Sequence, residues 1–167
     1  MSDSKEMLEI INEAGNVLGL GERSRIHSDP SLLHRVVHVL VFNPEGQLLL
    51  QKRSMNKEVA PGKWDTSVGG HVNPGEALRN AALREMEEEL GIKGQEIDFL
   101  YTYVFKNHRE SELVTTFSCI YEGVLQFNRE EIDEVEFWGL KRIKANLGKG
   151  LFSGHFEKEL ENYLTRL

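Results

Sequence analysis

The sequence has little of what disulfide, membrane or nucleic-acid functions require. Its 167 residues include one cysteine, Cys119, which excludes an internal disulfide and a zinc site built from several cysteines. The longest apolar stretches, such as residues 36–42, fall far short of the roughly 18 residues that a membrane-spanning helix needs. Positive charge is also scarce, with 20 Lys and Arg against 27 Asp and Glu. Because nucleic acids and anionic membranes attract positively charged surfaces, we expect neither as a partner.

The composition is typical of one folded domain. Hydrophobic residues make up 40% of the chain and charged residues 28%, and a domain usually takes roughly 100 to 200 residues. We expect an N-terminal hairpin and lead-in over residues 1–33, a core over 34–140 and a C-terminal helix over 141–167. Residues 1–6 lack the basic patch and apolar stretch of a secretion signal, so we expect a cytoplasmic protein. Both a monomer and a homodimer agree with the sequence.

Turn residues and hydrophobic periodicity predict a mixed α+β fold. Two hairpins are expected, one joining residues 8–12 to 17–20 and one joining 35–42 to 47–51. Residues 76–90 have a helical pattern, with Leu83, Met86 and Leu90 on one stripe and Gly91 as the stop. Strands over 97–106, 113–126 and 135–138 and a helix from about residue 141 complete the prediction. Since strands and helices do not alternate regularly, the pattern favours an α/β/α sandwich over a doubly wound sheet.

Acidic side chains crowd one face of the predicted helix. At 100° per residue, Glu85, Glu88 and Glu89 share a face, whereas Glu87 points away. Like charges at these spacings destabilise an exposed helix by roughly 0.2–0.5 kcal/mol per pair. A hard divalent cation such as Mg²⁺ or Mn²⁺ would offset this repulsion, because both ions prefer oxygen ligands. The alternative is a solvated acidic face, which composition alone favours.

The residues around this helix favour a divalent cation over a solvated acidic face. Five residues separate Gly70 from Glu76 and seven more separate Glu76 from Arg84, after which the pattern is Arg-Glu-apolar-x-Glu-Glu-x-Gly-apolar through Ile92. This 23-residue stretch resembles the Nudix box at every defined position. The resemblance implies a Nudix-type α/β/α sandwich with a mixed central sheet. It also implies a hydrolase that cleaves the diphosphate linkage of a nucleoside diphosphate derivative or a related organic diphosphate.

The Nudix resemblance implies catalytic and metal-binding roles within the helix. Glu85, Glu88 and Glu89 match the glutamates that bind Mg²⁺ or Mn²⁺ in the family, and Gly70 matches a glycine whose carbonyl is a further ligand. The implied chemistry is attack on the diphosphate by water that the divalent metal activates.

Further roles follow from the same resemblance. Glu76 and Arg84 match residues that orient the motif through charge pairing. The family takes its general base from different places, so the sequence leaves that role open. The candidate bases are Glu89, Glu112, Glu131 and Glu134.

Several short motifs precede the box: Phe42-Asn43, Gly46-Gln47-Leu48-Leu49, Arg53-Ser54, Pro61-Gly62-Lys63-Trp64 and Ser67-Val68-x-Gly70-His71. Through them the segment from His34 to Gly70 resembles isopentenyl-diphosphate isomerase, a divergent member of the same superfamily. In that enzyme three histidines and two glutamates bind a separate metal, and two basic residues contact the diphosphate. The resemblance implies phosphate-contacting roles for Arg53 and Lys57. The residues that match the second divalent-metal site are His27, His34, His71, Glu110 and Glu112.

The isomerase resemblance breaks at one position. That enzyme needs a cysteine immediately before the Gly-His pair, where this chain has Gly69. Cys119 lies in a predicted strand about fifty residues later and is expected to be a small buried hydrophobe. The Nudix box is intact, so hydrolysis of a small-molecule diphosphate is favoured. An isomerase-like enzyme and a metal-dependent diphosphate-binding protein without turnover are the alternatives.

Overall fold

The computed structural model describes residues 6–166. Residues 1–5, on which the expected lack of a secretion signal largely rests, lie outside the described part of the chain, as does residue 167. Nine strands and four helices are present between residues 6 and 166. The strands are β1 (Met7–Ile11), β2 (Val17–Glu22), β3 (Leu33–Phe42), β4 (Leu48–Arg53), β5 (Trp64–Asp65), β6 (Val68–His71), β7 (Asp98–Lys106), β8 (Ser111–Ile120) and β9 (Ile132–Trp138). The helices are α1 (Arg23–Ile26), α2 (Leu78–Leu90), α3 (Leu140–Ala145) and α4 (Gly154–Thr165).

The long, valine-rich strand β3 organises a mixed sheet. It pairs in parallel with β8 along its whole length and antiparallel with β6, β1 and β4. Strand β7 continues the sheet beyond β8, and β5 and β9 both pair with β4. The predicted α+β class and mixed central sheet are confirmed.

Helices cover both faces of this sheet. Successive side chains of β3 point to opposite sides, so the apolar residues of this strand need a packing partner on each face. Val37, Val39 and Val41 pack in one core with the buried residues of α2, including Met86 and Leu90. Leu40 and the strand residues that share its face pack in a second core with α3 and α4. The two cores make the fold an α/β/α sandwich, as predicted.

Several element boundaries differ from the sequence prediction. Helix α2 begins at Leu78 rather than residue 76, because Glu76 closes a tight turn in which its own N–H donates to the Asn73 carbonyl at 2.9 Å. It ends as predicted at Gly91, which takes the left-handed conformation. Strand β8 stops at Ile120, well short of residue 126.

The C-terminal segment, predicted as one helix over 141–167, forms α3 and α4 instead. Gly148 and Gly150 between them have φ values of +74° and +79°, which a continuing helix cannot accommodate. Ser153 caps the N-terminus of α4, because its hydroxyl accepts a hydrogen bond from the Phe156 N–H at 3.1 Å. No helix within residues 6–166 has the length and apolar character needed to cross a membrane.

Candidate functional site

Arg84 connects helix α2 to the loop before it. Its guanidinium makes a two-pronged ion pair with Glu76, with Nε to Oε2 and Nη2 to Oε1 both at 2.9 Å. Nη2 also donates to the carbonyl of His71 at 2.9 Å. The remaining Nη1 donates to Oε1 of Glu85 at 2.8 Å and to Oε2 of Glu88 at 3.4 Å. One planar cation therefore links the loop, strand β6 and the acidic face of α2.

Glu85 is directed towards the backbone of strand β6. A Cβ atom placed at Gly70 would overlap the carboxyl group of Glu85, so the absence of a side chain there admits this approach. Burial raises the pKa of Glu85 above its ordinary value, although Arg84 acts in the opposite direction. A second acidic group lies beside it, close enough that the charge of Glu85 raises the pKa of Glu89.

Glu89 points inward and Glu88 outward. Nε2 of Gln51 donates to Glu89 at 2.7 Å and to the carbonyl of Ser67 at 3.0 Å. Burial, followed by the charge of Glu85, raises the pKa of Glu89 well above its usual range. The side chain of Glu88 is 57% exposed. Gln51 was missed by the sequence reasoning, although a polar residue following three leucines in a predicted strand was an available signal.

A second cluster contains the five histidines and glutamates expected from the isomerase resemblance. His27 follows α1, His34 lies in β3 and His71 ends β6. Glu110 immediately precedes β8, and Glu112 is its second residue. Their ligand atoms form two groups, His27–His34–His71 and His34–Glu110–Glu112, within each of which all atoms lie within 4.8 Å of one another. In the described chain Glu85, Glu88 and Glu89 form no such group of three.

Unsatisfied atoms in this cluster fit a cation. Nε2 of His34 lies 3.9 Å from Oε1 of Glu110 and 3.9 Å from Oε2 of Glu112, beyond hydrogen-bond distance. Oε1 of Glu110 and Oε1 of Glu112 are buried without a hydrogen-bond partner among the described residues. Each buried polar atom without a hydrogen-bond partner lowers the free energy of unfolding by about 1–3 kcal/mol. Burial lowers the pKa of His34 to about 4, which keeps it in the neutral form that binds metal.

His155 joins the second cluster from helix α4. Its Nε2 lies 3.6 Å from Oε1 of Glu112 and 3.7 Å from Oε2 of Glu110, and its ring stacks on Phe105 at 4.3 Å between centroids. Burial alone would lower the pKa of His155, but the two carboxylates raise it to about 9. The sequence reasoning missed His155, since nothing in the chain around it indicates a contact with residues more than forty positions earlier.

The remaining predicted site residues lie in or beside the loop that follows β4. Arg53 donates from Nε to the carbonyl of Val59 at 2.8 Å and from Nη1 to Asp65 at 3.4 Å. Lys57 lies 3.9 Å from the exposed carboxylate of Glu131. Glu134 is exposed on β9. These contacts do not bring the residues into either acidic cluster.

Comparison with known proteins decides the family. Residues 32–156 match the NUDIX domain model. The chain belongs to the Nudix family. It is 33% identical over 96% of its length to an uncharacterized Nudix hydrolase of Yersinia pestis, of which it covers 87%. It is 34% identical over 93% of its length to an isopentenyl-diphosphate Delta-isomerase of Streptomyces griseus, of which it covers 82%.

Solved structures agree on the Nudix fold. The crystal structure of DR0079 from Deinococcus radiodurans superposes with a TM-score of 0.82 and is 25% identical in sequence. The match covers 94% of this chain and 98% of that one. The relatives named as isomerases confirm the resemblance to the isopentenyl-diphosphate-isomerase branch.

Proposed function

We propose that this chain is a pyrophosphohydrolase of the Nudix family, which cleaves the diphosphate linkage of a nucleoside diphosphate derivative or a related organic diphosphate with water. The paired carboxyl groups of Glu85 and Glu89 carry this proposal. Glu85 lies against Gly70, Glu89 lies beside Glu85, and burial raises the pKa of each, so the pair favours a proton or a cation. The intact Nudix box and the relatives named Nudix hydrolases support the same reaction.

The residues proposed to hold Mg²⁺ or Mn²⁺ are Glu85, Glu89 and the carbonyl of Gly70, with Glu88 at the exposed rim. A divalent ion at this position supplies positive charge that offsets the charge on the phosphoryl oxygens and makes the attacking water more acidic. Arg84, paired with Glu76, holds Glu85 in place through its contact at 2.8 Å. Gln51 orients Glu89 in the same way, at 2.7 Å.

A second divalent ion is proposed for the histidine and glutamate cluster. The His34 ring and one oxygen each of Glu110 and Glu112 are buried without hydrogen-bond partners among the described residues. Nε2 of His27 and Nε2 of His71 lie 2.9 Å apart beside them. Imidazole and carboxylate together form a donor set that suits Zn²⁺, Mn²⁺ or Mg²⁺. His155 contacts both carboxylates and orients them from the side of α4. The proposed ligands are His27, His34, His71, Glu110 and Glu112.

Burial narrows the choice of general base. Glu89 lies beside the other proposed ligands, and Glu112 is 5% exposed, whereas Glu131 and Glu134 face solvent. Burial raises the pKa of Glu112 to about 7. The proposed base is therefore Glu89 or Glu112.

The proposed biological setting follows from charge and composition. With 20 basic against 27 acidic residues, the chain suits a small anionic substrate held by local cations rather than a nucleic acid or a membrane. We propose that Arg53 and Lys57 contact the diphosphate and that residues 34–140 form the catalytic core. We further propose that the protein acts in the cytoplasm and is a monomer or a homodimer. His27 and His155 reach the second cluster from the flanking segments 1–33 and 141–167.

A second candidate function is isomerisation of isopentenyl diphosphate. The isomerase-named relatives and the complete set of five cluster residues favour it. Gly69 argues against isomerisation, because glycine has no side chain that could transfer a proton to or from a carbon atom of the substrate.

Product analysis separates these reactions. Purified protein is incubated with nucleoside diphosphate sugars, dinucleotides and isopentenyl diphosphate in the presence of Mg²⁺ or Mn²⁺, beside Glu89→Gln and Glu87→Gln. Glu87 is the matched control, since it lies on α2 but faces solvent, 3.7 Å from Lys93. We expect monophosphate products that fall about 100-fold or more in Glu89→Gln and little in Glu87→Gln. Deuterium exchange into isopentenyl diphosphate without phosphate release would establish the isomerase instead.

A further inference from the structure

A buried carboxylate in helix α4 collects four hydrogen-bond donors from the sheet. Glu159 is 0% exposed and accepts from Thr116 Oγ1 at 2.8 Å, from Tyr103 Oη at 3.0 Å and from Tyr101 Oη. The fourth partner is Nδ1 of His38, at 2.7 Å. Burial alone would raise the pKa of Glu159, but His38 and the hydroxyl groups lower it. The carboxylate is therefore ionised and acts only as an acceptor.

This arrangement orients the His38 ring and determines which ring nitrogen faces Glu159. The carboxylate of Glu159 accepts a hydrogen bond from Nδ1, so Nδ1 carries a hydrogen, and in the neutral form of an imidazole the lone pair is then on Nε2. Within residues 6–166, Nε2 makes no hydrogen bond. Nε2 of His38 is thus an oriented ring nitrogen that no described residue uses.

The His38 ring lies where a side chain at position 69 would project. A Cβ atom at Gly69 would be 3.2 Å from Cδ2 and 3.5 Å from Nε2 of His38. In the β3–β6 register, His38 is opposite Gly69, and the next two residues of β6 are Gly70, which touches Glu85, and His71 of the second cluster. Nε2 of His38 therefore lies beside the part of β6 that carries Gly70 and His71, one from each proposed metal-binding group.

Strand spacing sets the distance to the second cluster. His34 and His38 lie on the same face of β3, four residues apart, which corresponds to about 13 Å. Helix α4 contacts the same two places in the same order. His155 contacts Glu112 of the second cluster, and Glu159, one helical turn later, contacts His38. A substrate that spans this distance from a diphosphate at the second cluster would bring its organic group to His38.

We propose that His38, held by Glu159, accepts a hydrogen bond from a hydroxyl or N–H of the organic group of the substrate and so selects polar diphosphates over hydrocarbon ones. This inference rests on the proposed function and specifies its substrate class. A site built around a polar contact discriminates strongly against an analogue that leaves the protein group unpaired. The substrate class is accordingly a nucleoside or sugar diphosphate rather than an isoprenoid one.

The test compares two substrates and three variants. Initial rates are measured for UDP-glucose and isopentenyl diphosphate with wild-type protein, His38→Leu, His38→Gln and Tyr103→Phe. Tyr103→Phe is the matched control, because it removes one donor to Glu159 without altering the His38 ring. We expect wild-type protein to prefer UDP-glucose. In His38→Leu, kcat/KM for UDP-glucose falls about 10- to 100-fold, mainly through KM, while His38→Gln, which retains an acceptor, loses less.

A merely structural network would behave differently. In that case His38→Leu and Tyr103→Phe would both lower Tm. The ratio of kcat/KM for UDP-glucose to that for isopentenyl diphosphate would keep its wild-type value in both variants. An unchanged ratio in His38→Leu overturns the proposal. A wild-type protein that hydrolyses isopentenyl diphosphate better than UDP-glucose also overturns it, while leaving the hydrolase function intact.

Nitrogen NMR of the wild-type imidazoles tests the proposal even where a variant fails to fold or no turnover is found. The expected spectrum has His38 protonated at Nδ1 and unprotonated at Nε2, with the Nε2 resonance shifting on addition of UDP-glucose and Mg²⁺ but not of isopentenyl diphosphate. An Nε2 resonance that neither compound moves contradicts the inference. Absence of turnover with every diphosphate would instead reject the proposed function.

Discussion

Gly70 and Glu85 lie so close together that a side chain at position 70 would overlap the Glu85 carboxyl group. The strand that carries Gly70 also carries His71, whose carbonyl accepts a hydrogen bond from Arg84. Helix α2 and strand β6 are thus joined at the point where the proposed metal ligands meet. The close approach places the Glu85 carboxyl group beside the backbone of Gly70, and carboxylate and carbonyl oxygens are the ligands that a hard cation prefers.

Substituting Gly70 with alanine should therefore reduce activity more than stability. The added methyl group displaces the end of a flexible side chain, so we expect Tm to change little and kcat to fall by at least about 10-fold. Gly19→Ala is the control, because a Cβ at Gly19 would have no neighbour within 4 Å. Equal activities of the two variants, measured by product release, would remove Gly70 from the site.

Arg84→Lys should impair hydrolysis although it retains the charge. A lysine cannot reproduce the planar contacts with Glu76, Glu85 and the His71 carbonyl. We expect kcat to fall about 10- to 100-fold with preserved circular dichroism, as is usual when groups that orient metal ligands are lost. The exposed Arg129→Lys serves as the control, and wild-type kcat in Arg84→Lys would contradict an orienting role.

Divalent metal should stabilise the protein through the histidine and glutamate cluster. An ion that binds only the folded state at 100 times its Kd adds about 2.7 kcal/mol of unfolding free energy. We expect Mn²⁺ or Zn²⁺ to raise Tm in thermal melts of chelator-treated protein. His34→Ala should abolish most of the rise, and His108→Ala, at an exposed position, should leave it unchanged. A full Tm shift in His34→Ala would place the ion elsewhere.

Cys119 should be unreactive in the folded protein. It is 5% exposed, as the sequence predicted for a small buried hydrophobe, and burial raises the pKa of its thiol from 9.0 to about 11. Thiol reagents at pH 8 should label it only after denaturation. Because the unfolded thiol loses its proton first, this group's contribution to stability is complete below about pH 9 and declines as the pH rises towards 11. Rapid labelling of native protein would contradict the burial.

Local sequence patterns predicted the elements that local physics governs. The valine-rich run of β3, the first hairpin and the apolar stripe of α2 all have the predicted type, because side-chain periodicity depends on neighbours along the chain. The second predicted hairpin is paired only at Phe42 and Leu48, and the rest of β4 pairs with β9 and β5. The second cluster was located through a resemblance, and the structure brings its five residues together. The single C-terminal helix was wrong, since Gly148 and Gly150 stop it.

The sequence by itself determined the family, the identity of the acidic residues on α2 and the absence of a side chain at positions 69 and 70, because these are properties of the order of residues. Tertiary structure alone decided that Gln51 meets Glu89, that His155 meets Glu112 and that His38 meets Glu159. Each of these contacts joins residues from different elements, in the last case 121 positions apart. Such pairs depend on how the sheet and helices pack, which no local periodicity encodes.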